Sequence, residues 1–158
     1  MRCRHLFGAV VATLAVAALP ATAPAASKPK KPYADVLGAI EASPDGTTAT
    51  LRVRYRCNAG DHLWVSVKES ATGKKDWALR REGSSELAAT WLQSHRNTWT
   101  CDGTKRTETF DVDAVEPGSK GALVHGRAYV QFCLTQGEGE IVIYETGFSW
   151  VHRGPAAT

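Results

Sequence analysis

Ten residues at 48–57, TATLRVRYRC, constrain this chain's fold more than any other stretch. Leu51, Val53, Tyr55 and Cys57 occupy one side of a two-residue repeat, and Arg52, Arg54 and Arg56 the other. Successive side chains of an extended backbone point to opposite faces, so the pattern describes a strand with one face buried. The alternation returns in LWVSVKES (63–70), KRTETFDVDAV (105–115) and GRAYVQFCLT (126–135), where Ala128, Val130, Phe132 and Leu134 share a face. DVLGAIEAS (35–43) reads as the first strand and IVIYETGFSWVHR (141–153) as the last, while NTWTC (97–101) reads as short and extended. PDGT, NAGD, CDG and QGEGE supply turn chemistry between them. Residues 77–97 resist this reading: SSELAATWLQ fits a short capped helix and an irregular strand equally well. About seven strands without a long helix predict an antiparallel β-sandwich, with a β-barrel as its nearest competitor.

The N-terminus follows a different logic. Arg2 and Arg4 precede an uncharged run from Leu6 to Leu19, Pro20 breaks it, and Ala23-Pro24-Ala25 supplies small residues. This order predicts a secretory signal peptide over 1–25, cut between Ala25 and Ala26. The apolar run is shorter than the roughly 20 residues a membrane span needs, so no span is expected in the mature form. A flexible basic linker is expected at 26–34, one β-sandwich domain at 35–153 and a flexible tail at 154–158. A mature chain of roughly 130 residues suits one domain with one core.

The whole sequence carries a net charge of +3, but its positive excess is terminal. Removing Arg2 and Arg4 from 19 Lys and Arg leaves 17 against 16 Asp and Glu. Lys28, Lys30 and Lys31 stand in the linker, and without them the body has 14 cations against the same 16 acids. A basic nucleic-acid surface is therefore not expected.

Candidates for chemistry are sparse. His62, His95, His125 and His152 lie far apart in sequence and show no zinc-ligand spacing. Glu138 and Glu140 read as a charged hairpin tip. No nucleophile elbow, phosphate-cradling loop or nucleotide fingerprint occurs, so neither catalysis nor a cofactor is predicted.

Two surface features invite a binding role. Arg52, Arg54 and Arg56 form a stripe that would suit an anionic polymer. Asp111 and Asp113, outward on the expected neighbouring strand, would instead neutralise it. Five tryptophans are the second feature. Trp64 falls on the face opposite Leu63, Val65 and Val67, and an exposed indole makes a platform for a sugar ring or a protein partner.

The order YRC, a strand like LWVSVKES, CDGT, a Val-rich strand and HGRAYVQFCLT resembles a group of small secreted actinobacterial proteins of unknown function. Those proteins have an immunoglobulin-like domain. The resemblance covers roughly Asp35 to Val151, and its sharp motif is the YRC…CDG pair. It implies an immunoglobulin-like β-sandwich, a disulfide between Cys57 and Cys101, and no catalytic residue. A third mature cysteine, Cys133, departs from the pattern and allows three pairings. Alternation sets Cys133 on the outer face with Tyr129 and Gln131 and turns Cys57 inward, while Cys101 ends a strand beside a turn. That geometry favours Cys57–Cys101, closing a loop of about 45 residues, with Cys133 a free thiol. The functional expectation is a secreted, non-catalytic immunoglobulin-like domain of unknown function that acts by binding or by structural interaction, its partner an extracellular protein or a cell-wall polymer. The alternative is a carbohydrate or cell-wall polymer module using Trp64.

Overall fold

A computed structural model describes residues 30–81 and 83–154. The expected signal peptide at 1–25, residues 26–29 of the expected linker and residues 155–158 of the expected tail lie outside the described residues.

Tyr55 marks the centre of the interior, its ring centroid 6.2 Å from both Phe110 and Phe132. Around these rings run seven strands: β1 (Tyr33–Ala42), β2 (Thr48–Arg56), β3 (His62–Glu69), β4 (Thr90–Arg96), β5 (Arg106–Asp113), β6 (Gly126–Gln136) and β7 (Glu140–Arg153). The only helical element among the described residues is a 3-10 turn at Trp77–Arg80, its first turn closed by the Asp76 carboxylate accepting the Ala78 N–H at 2.9 Å. β1 begins inside the expected linker, because Tyr33 pairs with Arg56 and Ala34 is buried.

The strands close into a barrel in the order β1-β2-β5-β4-β3-β6-β7. This differs from the open sandwich expected from sequence, and the difference lies at two seams. β1 shifts register between Leu37 and Glu41, and its last residues, Ile40 to Ala42, run parallel to Val151–Arg153 of β7. Between β4 and β5 a single pair, Gln93 with Asp113, closes the ring. Elsewhere pairing is antiparallel, with one further register shift between Leu134 and Thr135 where β6 meets β7.

Alternation decides which residues enter the barrel. Leu51, Val53, Tyr55, Leu63, Val65, Val67, Phe110, Val112, Val130, Phe132 and Leu134 are all buried in one cluster. Each such side chain contributes roughly 1.5–3 kcal/mol relative to exposure. Residues 77–97 divide into the 3-10 turn, further turns and β4, which resolves the ambiguity of SSELAATWLQ. NTWTC is not a strand; its Thr100 carbonyl accepts the Tyr55 hydroxyl at 3.3 Å instead of entering a ladder.

Cys57 and Cys101 are joined, their Cα atoms 4.8 Å apart. β2 and β5 are already neighbours, so the bond staples the ends of one half-barrel and does not cross the interior as the antibody disulfide does. The Gly103 N–H donates to the Cys57 carbonyl at 2.8 Å with φ at 79°, a conformation glycine adopts without strain. Gly46 holds a second constrained turn: a Cβ there would sit 2.3 Å from the Leu123 carbonyl oxygen.

Candidate binding face

The outer surface of the barrel divides into two faces of different chemistry. On the β1-β2-β5 side the arginine stripe is largely accounted for by neighbours. Arg54 donates to Asp35 of β1 at 2.8 Å, and Arg56 lies over the Tyr33 ring at 5.1 Å. The expected partners, Asp111 and Asp113, do not take this role, and the register explains why. Thr109 and Thr107 stand opposite Arg52 and Arg54, whereas Asp111 and Asp113 stand opposite Thr50 and Thr48. Asp111 approaches Arg96 across the β4–β5 seam at 3.7 Å, and Asp113 accepts the Val115 and Glu116 N–H groups. Of the stripe, Arg52 alone makes no ion pair or ring contact among the described residues, and it is exposed.

The β4-β3-β6-β7 side is built in rows set by register. Trp64 stands opposite His95 and Cys133, and Cys133 opposite Tyr144. One row along, Ser66 faces Gln93 and Gln131; in the next, Lys68 faces Trp91 and Tyr129, with Phe148 beyond. Leu79 and Ala88, carried by the segment between β3 and β4, lie on Tyr129, with Trp91 and Phe148 packed alongside. That covering layer makes one wall of a groove of about 680 Å³ across the sheet, lined by Trp64, Trp91, Gln93, His95, Gln131 and Tyr144 among others.

Hydrogen bonds hold the groove's side chains in place. The Trp64 indole N–H donates to Gln93 Oε1 at 2.8 Å, and Gln93 Nε2 donates to the Pro117 carbonyl at 2.7 Å. Ser66 donates to Gln131 Oε1 at 3.2 Å, and Gln131 Nε2 donates to the Tyr144 hydroxyl at 3.0 Å. Trp64 stacks on His95 with centroids 6.5 Å apart. Each amide keeps one N–H uncommitted in these bonds, so the groove offers flat rings beside fixed donors. The Trp91 indole nitrogen is buried without a hydrogen-bond partner among the described residues.

The histidines come together in pairs that sequence spacing hid. His62 Nε2 and His95 Nδ1 are 2.9 Å apart, and His125 stacks on His152 at 5.8 Å. Even so, the described residues contain no group of three His, Cys, Asp or Glu side chains able to hold a metal. Cys133 is a free, half-buried thiol, and burial pushes its pKa up, away from the reactive thiolate. Glu138 and Glu140 lie at the β6–β7 hairpin, apart from the groove. The carboxylate raised furthest is Glu69, pushed up to about 7 by burial. It accepts the Val124 N–H at 2.7 Å, its other oxygen has no partner among the described residues, and it lies at the inner face with Val65 and Val67.

Sequence reading found Trp64 but missed Trp91, Gln93, Gln131, Tyr144 and Lys68. A signal existed in the polar residues two apart along β3 and β6, but without β4 the face had no second wall. Of the remaining tryptophans, Trp99 packs against the core and donates to Cys101 Sγ at 3.1 Å. Trp77 meets Phe148 edge-on at 5.3 Å, and Trp150 lies beside Arg127. No family model matches the chain and no curated protein matches it, so the geometry alone carries the functional argument. No helix among the described residues is long and apolar enough to cross a membrane.

Proposed function

We propose that the protein is an exported, non-catalytic binding domain whose groove takes a segment of a carbohydrate chain. The observation that carries this reading is the arrangement of Trp64, Trp91 and Tyr144 around fixed amides in the 680 Å³ groove. Sugar rings present apolar C–H faces and hydroxyl edges, which flat aromatics and amide groups complement. The disulfide supports an oxidising compartment and so agrees with export. We read the barrel as an immunoglobulin-like sandwich drawn closed. Its halves, β1-β2-β5 and β4-β3-β6-β7, meet only through one antiparallel pair and a short parallel run.

Titration calorimetry with soluble cell-wall oligosaccharides tests the proposal. Trp64→Ala should weaken binding about tenfold, near 1.4 kcal/mol, while Trp64→Phe retains most of it. Unchanged affinity in a folded Trp64→Ala protein would reject the groove as the site.

A further inference from the structure

We infer that the carbohydrate taken by this face is anionic, carrying carboxylate or phosphate groups along its chain; the inference rests on the groove reading above. Lys68, Lys75, Arg80 and Arg127 belong to the same side of the barrel, and each lies over an aromatic ring. Lys75 Nζ is 3.9 Å from the Trp77 centroid and 5.1 Å from that of Phe148. Arg80 lies 5.1 Å from the Trp77 centroid as well, Arg127 lies 4.9 Å from that of Trp150, and Lys68 is 5.7 Å from that of Trp91. None of the four makes an ion pair among the described residues, whereas Arg54, Arg96 and Arg106 all do.

Asp76 caps the 3-10 turn and Asp35 is bonded to Arg54, while two acids stay close to the strip: Glu116 lies 4.0 Å from His95 of the groove, and Glu145 lines the cleft between β1 and β7 together with Arg127. Neither is ion-paired with any of the four cations among the described residues. A ring fixes a cation's position without neutralising it, so its N–H donors stay available to an incoming anion. Lys68 is buried at the groove, with Ser84 Oγ as its hydrogen-bond partner at 3.0 Å, and burial lowers its pKa. A ligand anion in the groove would restore a partner to that ammonium. Arg80 lines the same groove, while Arg127 extends the strip along β6 one row past Tyr129, roughly 7 Å by strand rise. Exposed indoles at Trp77 and Trp150, 57% and 51% accessible, interleave the cations with further ring platforms. Charge complementarity thus selects an acidic chain over a neutral one.

The test compares the intact protein's affinity for polygalacturonate, for its fully methyl-esterified form and for a phosphomannan. At low salt, one or both anionic polymers should bind at least tenfold tighter than the ester, and the advantage should shrink steeply by 0.5 M salt. The K75Q/R80Q/R127Q protein should lose most of that advantage, and the R52Q/R54Q/R56Q protein should keep it. Near-UV circular dichroism establishes that each variant is folded, and single Arg127→Gln and Lys75→Gln proteins replace the triple if it is not. Whichever anionic polymer binds more tightly identifies the charged group as uronate or phosphate. Equal affinity for ester and acid would overturn this inference while leaving the groove reading intact. An oligonucleotide of equal charge bound as tightly would also overturn it. Loss of all saccharide binding, with Trp64→Ala indistinguishable from the parent, would remove both.

Discussion

The two faces of this barrel carry cations in comparable number and differ in the acids beside them. On the β1-β2-β5 face Arg54 is bonded to Asp35 and Arg56 rests on Tyr33. On the β4-β3-β6-β7 face Lys68, Lys75, Arg80 and Arg127 rest on rings, without ion pairs among the described residues. A stripe of arginines in sequence therefore says little about binding until the register names its neighbours. The first face belongs to the architecture and holds the disulfide; the second is shaped as a groove and holds the tryptophans other than Trp99.

The largest expected effect tests whether the first face is architectural. Removing the bridge in a Cys57→Ser, Cys101→Ser protein should lower stability by about 4 kcal/mol on the chain-entropy account. Urea unfolding measures it, and saccharide affinity of the molecules still folded should be unchanged. Loss of affinity without loss of stability would place the ligand near the bridge and break the division of labour.

Glu69 gives the next effect and sharpens the boundary between core and groove. Its folded pKa of about 7 lies above the ordinary value of 4.5. The protonated form is thus favoured by folding, and its stabilisation is complete below pH 4.5 and lost as pH rises through about 7. The shift corresponds to roughly 3 kcal/mol at its upper limit. Thermal melts should show stability falling from pH 5 to pH 8, and Glu69→Gln should flatten that slope and raise the melting temperature at pH 8. A wild-type slope retained in the variant would assign the titration to another group.

Truncating the groove's second ring wall should act on binding more than on folding. Trp91→Ala is expected to weaken saccharide affinity about tenfold and to cost some stability, because Trp91 also packs against Tyr129 and Leu79. The smallest effect belongs to the stripe: changing Arg52, Arg54 and Arg56 to glutamine should shift stability by less than about 1 kcal/mol. Affinity for any polysaccharide should not move.

Much of the barrel was legible because its best strands alternate cleanly. In β2 and β6 every inward position is apolar and most outward ones are polar, so both strands and the inward turn of Cys57 could be read directly. β4 was not legible, and its residues show why. Its inward side carries Thr90, Leu92 and Ser94, while its outward side carries Trp91, Gln93 and His95. The large ring points away from the core, so the apolar contrast that identifies a strand is nearly inverted. Lys68 and Glu69 misled in another way. Charge suggests solvent, yet the layer over Tyr129 covers one and the barrel end encloses the other. The arginine partners were missed because alternation gives a residue's face and not its register. The expected partners were Asp111 and Asp113, and only the alignment of β1 on β2 brings Asp35 to Arg54.

Nuclear magnetic resonance titration of the isotope-labelled protein with a wall oligosaccharide tests the central claim most directly. The account predicts that shifts concentrate on the outward residues of the four-strand face: the indole N–H signals of Trp64 and Trp91 and the side-chain amides of Gln93 and Gln131. The arginine face should stay silent. Shifts centred on Arg52, Arg54 and Arg56, with the Trp64 and Trp91 indoles unmoved, would contradict it.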